Sequence, residues 1–202
     1  MPDEQQFPAG EAQRLKVIGL RFLNALGSIE NDRLSDPFAV IPHCEVEAQR
    51  MRIIQATLEH LDLLSPLFVK YREFYGELPF PDSSRAFLEK RLRRKESVIY
   101  LALHDDDDSK LLGFCQLYPS FSSLSLKRVW ILNDIYVAED ARRQLVADHL
   151  IQKAKKMAKE THAVRMRVST SSNNDVAQKV YESIGFKEDT QFKNYVLPIN
   201  ED

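Results

Sequence analysis

Three β-rich segments, "SVIYLAL" (97–103), "LLGFCQLY" (111–118) and "RVWILNDIYV" (128–137), follow one another with only short polar turns between them. Strands joined this closely can pair only with their immediate neighbours and in antiparallel fashion, because a parallel partner needs a long crossover. The flanking segments change period. Before the strands, residues 57–75 and a stretch after Pro81 read as helices, with Thr57 capping the first and Asp82 or Ser83 the second. After them, Val146, Leu150, Ala154 and Met157 form one helical stripe, followed by a strand in "AVRMRVST", a helix in "NDVAQKVYESI" and closing strands near Phe186 and over 194–199. Arg52 to Ala56 reads as an opening strand. The order predicts a mixed α/β domain with a largely antiparallel, twisted sheet flanked by helices.

A chain of 202 residues with 44% hydrophobic and 29% charged content suits one globular domain with an appendage. Its character changes near Met51, so residues 1–50 are expected to be an N-terminal helical extension and 51–202 the domain. In the extension, Leu15, Ile18, Phe22, Leu26 and Ile29 recur at helical spacing, which predicts an amphipathic helix over 11–30 and an irregular linker after it. That helix is free to dock, to pair two copies as a homodimer, or to do neither, and Met51 is an alternative start.

Charge and cysteine content narrow the function. A net charge of −2 gives no general attraction for nucleic acid, and no stretch is apolar for long enough to span a membrane, which with the acidic first residues points to a cytoplasmic chain. The basic run Lys90, Arg91, Arg93, Arg94 and Lys95 is either a solvated helix face or a patch for an acidic group. Asp105 to Asp108 reads as a hairpin tip. Cys44 and Cys115 lie far apart, and the five histidines show no ligand spacing, so no metal site is expected.

The segment "VAEDARRQLVADHLIQ" (137–152) runs from a strand through a charged turn into a helix and contains no glycine. A turn of this kind aims the first unpaired helix amides at whatever occupies it, and two arginines favour a phosphate or pyrophosphate as the guest. A plain helix entry is the alternative. Further on, Asn174, Ala177, Tyr181, Gly185 and Phe186 are spaced as N-x-x-A-x-x-x-Y-x-x-x-G-F, with Gly185 placed to end its helix.

This spacing resembles the signature of the GNAT superfamily of acetyl-CoA-dependent N-acetyltransferases, and the resemblance covers about Arg52 to Ile199. The glycine-free turn sits where that family keeps its R/Q-x-x-G-x-G/A cofactor loop. Arg142 takes the first place, Leu145 replaces the first glycine and Ala147 takes the last. Leu145 either crowds the pyrophosphate or points into the core, and a helical backbone there would accept it without strain. The resemblance implies acetyl-CoA as cofactor, held by Arg142, Arg143, Gln144, Leu145, Val146 and Ala147, by Asn174, Ala177 and Tyr181, and by the splayed strand at Ile135, Tyr136 and Val137.

It also implies Tyr181 as the acid that protonates the leaving thiolate, against the alternative of a packing tyrosine. "LNDIYV" is similar to the segment of the diamine-acetylating branch that carries a glutamate base, but Asn133 stands at that position and only Asp134 matches. Asp134 either accepts the proton of the acceptor amine, binds a cation, or satisfies backbone donors. Tyr71, Phe74 and Tyr75, with Asn133 and Asp134, would line the pocket of a small-molecule primary amine; core packing is the alternative. The departures at Leu145 and Asn133 motivate a rival reading, a GNAT-fold module that senses acyl-CoA or binds a protein.

Overall fold

The computed structural model describes residues 50–199. The expected helix over 11–30, its linker and Cys44 lie outside the described residues. Five strands form one sheet in the order β1-β2-β3-β4-β5: β1 (Met51–Gln55), β2 (Val98–His104), β3 (Asp107–Ser122), β4 (Lys127–Val137) and β5 (Arg165–Val168). The first four pair antiparallel and β5 runs parallel to β4, as short turns followed by a helical crossover dictate. The β2–β3 turn falls on Asp105 and Asp106, at the acidic tip.

Helices cover both faces. On one lie α1 (Leu61–Phe74) and α2 (Pro81–Arg93), which bury Leu61, Leu64, Phe68 and Leu88 against Ile99, Leu101 and Phe114. On the other, α3 (Val146–Glu160) and α4 (Asp175–Ile184) bury Leu150, Ile151, Ala154 and Ile184 against Leu112, Leu117 and Leu132. The expected stripe on α3 is therefore its core face, with Met157 at its half-buried margin. The basic run lies at the C-terminal end of α2 and the turn after it, where Arg91 and Arg94 reach Glu96 and Arg93 reaches Glu89. It is an ion-paired helix face.

Several local expectations are corrected. Thr57 caps a single 3-10 turn, Leu58–His60, rather than the long helix, which begins at Leu61. The second helix is entered from Phe80 with Pro81 in its first turn, so neither Asp82 nor Ser83 caps it; proline loses nothing there, since its missing N–H would have no helical acceptor. Leu145 is not helical. It has φ 60°, ψ 14°, the left-handed conformation that a leucine adopts only at a cost. The closing strands are absent: residues 186–199 form no ladder, and Tyr195, Val196, Leu197 and Ile199 are exposed. Pro198 has no N–H to give to a ladder.

Candidate active site

One extra residue in β4 creates the site. Gln116 pairs with Asp134 but Leu117 pairs with Leu132, which leaves Asn133 unpaired as a bulge. Side chains alternate along a strand, so a one-residue slip exchanges the faces. Before the bulge Trp130 and Leu132 face α3; after it Ile135 and Val137 do, and Asp134 and Tyr136 turn toward α1. β5 accompanies β4 only from Val129 to Leu132. From Asn133 to Val137 one edge of β4 is free of β5, with the Val137 carbonyl approached there by Arg142 Nε.

Asp134 is 6% exposed. It accepts a hydrogen bond from the Tyr71 hydroxyl at 2.6 Å and from Asn133 Nδ2 at 3.0 Å. Burial raises its pKa, and those two donors only partly offset the effect. Among the described residues no cation pairs with it. Around it stand aromatic rings: Tyr71 meets Tyr75, Phe114 and Tyr136 edge-on, and Phe74 packs on Tyr75 and Tyr136. Tyr71 and Tyr75 continue into an open groove of about 430 Å³ between α1 and α2, walled further by Phe68, Phe80 and Phe87. Glu77 at its rim reaches Arg72 at 3.9 Å.

Gln116 and Tyr118 are site residues that sequence reasoning missed. Gln116 is wholly buried directly opposite Asp134, and its Nε2 donates to the Tyr118 hydroxyl at 2.9 Å while its Oε1 has no partner. The available signal was a glutamine two places after Phe114 in an otherwise apolar strand. Cys115 is inert by comparison, its thiol pushed up to about 12 by burial.

Tyr181 projects from α4, with its ring 5.7 Å from that of Phe186. Burial, with a smaller contribution from the phenol of Tyr75, pushes it up to about 12, so it stays protonated at neutral pH. Burial, and the nearby charge of Asp134, likewise raise the pKa of Tyr75. The rest of the motif is structural: Asn174 Oδ1 accepts the Ala177 amide at 3.1 Å as the helix cap, Asn174 Nδ2 donates to Thr170, and Gly185 ends α4 at φ 102°. Asn174 is buried, and these two bonds fix its side chain in the turn before the helix.

The loop before α3 carries two left-handed residues, Arg143 at φ 62° and Leu145 at φ 60°. The N-cap residue, Leu145, makes no side-chain hydrogen bond to the helix, as its side chain has no acceptor. Leu145 is 64% exposed, which removes it from the core. Val146 by contrast is buried, and Gln144 turns back to the Asp140 carbonyl. Ala147 is half-buried in the first turn. Arg142 lies against Phe74 and Tyr136 rather than standing free in the loop.

An uncapped helix start, a strand edge opened by a bulge and a half-buried tyrosine on the following helix agree with the family whose model, Acetyltransferase (GNAT) family, matches residues 61–186. The chain belongs to the GNAT acetyltransferase family. It is 39% identical over 149 residues to the uncharacterized N-acetyltransferase YhfO of Bacillus subtilis, covering 74% of this chain and 98% of that protein. A crystal structure of a probable acetyltransferase is 82% identical, with a TM-score of 0.72 over 75% of this chain and 99% of that one. The fold is shared more widely: an aminoglycoside N-acetyltransferase in complex with CoA is 23% identical, with a TM-score of 0.60 over 74% of this chain and 96% of that one. The chain is thus an acetyltransferase with the GNAT fold, a mixed α/β architecture about a mostly antiparallel sheet.

Proposed function

We propose that this acetyltransferase moves acetyl from acetyl-CoA directly to a primary amine of a small molecule, with both substrates bound together. The observation that carries the reading is Asp134: a buried carboxylate without a cationic partner among the described residues, walled by tyrosines and set at the start of β4's free edge. A carboxylate among aromatic rings suits an ammonium group, and the open groove beyond Tyr71 and Tyr75 suits the carbon body that bears it. The residues also fit CoA, because the uncapped start of α3 offers amides to a pyrophosphate and the free edge of β4 offers peptide groups to an extended amide-bearing arm. The related fold that holds CoA supports the same choice.

Acetyl-CoA supplies an acyl thioester, and the chain's residues do the rest. An amine arrives as ammonium, with a reference pKa near 10.4, and must lose a proton before it can attack. Asp134 holds that cation and takes its proton, directly or through a water on Asn133, and its raised pKa makes it a better base than an exposed carboxylate. Backbone amides near Ile135 donate to the carbonyl oxygen as negative charge grows on it. Tyr181 gives a proton to the departing sulfur. Closeness of the two substrates supplies the remainder of the acceleration.

Calorimetry with acetyl-CoA followed by a thiol-release assay over polyamines, amino acids, aminoglycosides and lysine peptides tests the reading. Binding of acetyl-CoA, with turnover on at least one small amine, is the expected result. Turnover confined to lysine peptides would move the acceptor to proteins, and binding without turnover on any amine would make the chain a sensor.

A further inference from the structure

Arg142 opens the glycine-free loop, yet its side chain belongs to the acceptor wall. The guanidinium carbon lies 5.8 Å from the ring centroid of Phe74 and 5.8 Å from that of Tyr136. Nε points at the Val137 carbonyl at 3.4 Å, Nη2 is 3.8 Å from Glu139, and the side chain is only 18% exposed. Three parts of the molecule therefore meet on one group: the last residue of α1, the end of β4 and the loop itself. A planar cation can lie against two rings and still direct N–H groups at a carbonyl in its own plane, which an ammonium cannot. The loop needs such a tie, because Arg143 and Leu145 hold left-handed backbones that non-glycine residues keep only when their surroundings impose them.

We infer that Arg142 is a positioning residue that couples the cofactor loop to the acceptor wall, so that occupation of the loop by CoA sets Phe74 and the adjoining turn at Tyr75 and Gly76 in the geometry that receives the amine. The inference rests on the reading that this loop takes the CoA pyrophosphate. When phosphates engage the loop amides, the Arg142 backbone is fixed with them, and its side chain passes the constraint to Phe74 and Tyr136. Binding linkage is reciprocal, so a change confined to the wall must also be felt by CoA.

Amide hydrogen exchange with CoA as the only ligand provides the test. In the wild-type chain, saturating CoA slows exchange both in the loop over 142–148 and at Tyr75 and Gly76, whose amides close the last turn of α1 onto Arg72, Tyr71 and Glu73. Arg142→Ala retains slowing in the loop but loses about fivefold or more of it at Tyr75 and Gly76. Arg142→Lys restores only part. Phe74→Leu, which leaves every loop residue in place, weakens CoA about threefold to fivefold by calorimetry. Unchanged exchange at Tyr75 and Gly76 on adding CoA to the wild type overturns the inference alone. Equal slowing in Arg142→Ala does so too, even if that variant melts lower, since Arg142 would then be merely structural. Failure of the wild type to bind CoA overturns the proposed function and this inference with it.

Discussion

Tyr71 on α1 donates its hydroxyl hydrogen to Oδ1 of Asp134 on β4 over 2.6 Å, which joins the acceptor wall to the bulged strand. This bond favours the ionised carboxylate and opposes the upward push of burial on its pKa. Tyr71→Phe removes the donor and keeps the ring. The acid limb of the kcat/KM profile is therefore expected to move to higher pH, with a loss of about 1–3 kcal/mol in folding stability for the charge-assisted bond. A limb that stays in place would mean that Asp134 is not the titrating base.

Asp134 itself should cost stability for the sake of activity. Burial raises its pKa above that of the unfolded chain, so the folded state holds the proton more tightly. Its favourable contribution is complete below the unfolded pKa and is lost as pH rises through the folded one. Asp134→Asn has no proton to lose, so its Tm relative to wild type should improve from pH 4 to pH 8. Turnover should fall by about 10²–10⁴-fold, the usual worth of a general base. Melting curves at both pH values, paired with the thiol-release assay, read the two effects separately.

For Tyr181 the relevant state is the neutral phenol. With its pKa pushed up to about 12 by burial, it carries its proton throughout the working range, but a phenol that holds its proton this tightly is a weak donor to sulfur. Tyr181→Phe should lower kcat by about 10²-fold, at the low end for a general acid because a thiolate with a reference pKa near 8.5 leaves tolerably without help. The Kd for CoA should change far less. Full turnover in single-turnover kinetics, where chemistry limits the rate, would return Tyr181 to a packing role beside Phe186.

Asn174 shows how a motif residue divides between architecture and ligand. Its side chain accepts the Ala177 amide and donates to Thr170 while only 5% exposed, so Asn174→Ala should cost about 1–2 kcal/mol as a lost cap. Asn174→Asp keeps the acceptor and should recover part of that loss. Thermal melts of the two variants decide it, and similar Tm values for both would remove the cap from the account.

What the sequence made legible follows from period. The meander, the α3 stripe and the Gly185 cap each repeat a pattern set by helix or strand geometry, and the structure has all three. The family resemblance implied a splayed strand with a bulge near Asp134, but its place at Asn133 was not legible from the residues, because nothing in "LNDIYV" marks which residue is extra; the slip exists only relative to β3. Hence Asp134 is recognisable from sequence as a candidate, but its bond to Tyr71, sixty-three residues earlier, and its pairing with Gln116 are set by the fold alone. The left-handed backbone at Leu145 was hidden for a similar reason. Residue type argues against such a conformation, and it shows only in the folded loop, between a buried Val146 and an Arg142 held against Phe74.

That conformation makes Leu145→Gly an unusual glycine substitution. Glycine inside a helix costs about 0.8–1 kcal/mol relative to alanine, but Leu145 precedes the helix at φ 60°, where the cost falls on leucine instead, by roughly 1–2 kcal/mol. At 64% exposure the leucine buries little apolar surface that its removal would forfeit. The opposing effect is the extra freedom glycine gives the unfolded chain, about 0.4–1 kcal/mol. The difference favours the variant slightly, so Tm should hold or rise by a few degrees. CoA should bind at least as tightly, because the amides at the start of α3 stay in place while a side chain beside them is removed. Arg143→Gly, at φ 62°, relieves the same backbone strain but removes a cation, so it should match the Tm gain and weaken CoA. A Tm drop in both variants would show that the left-handed turn is held by these side chains rather than in spite of them, and weaker CoA binding by Leu145→Gly would show that the leucine is a contact of the cofactor.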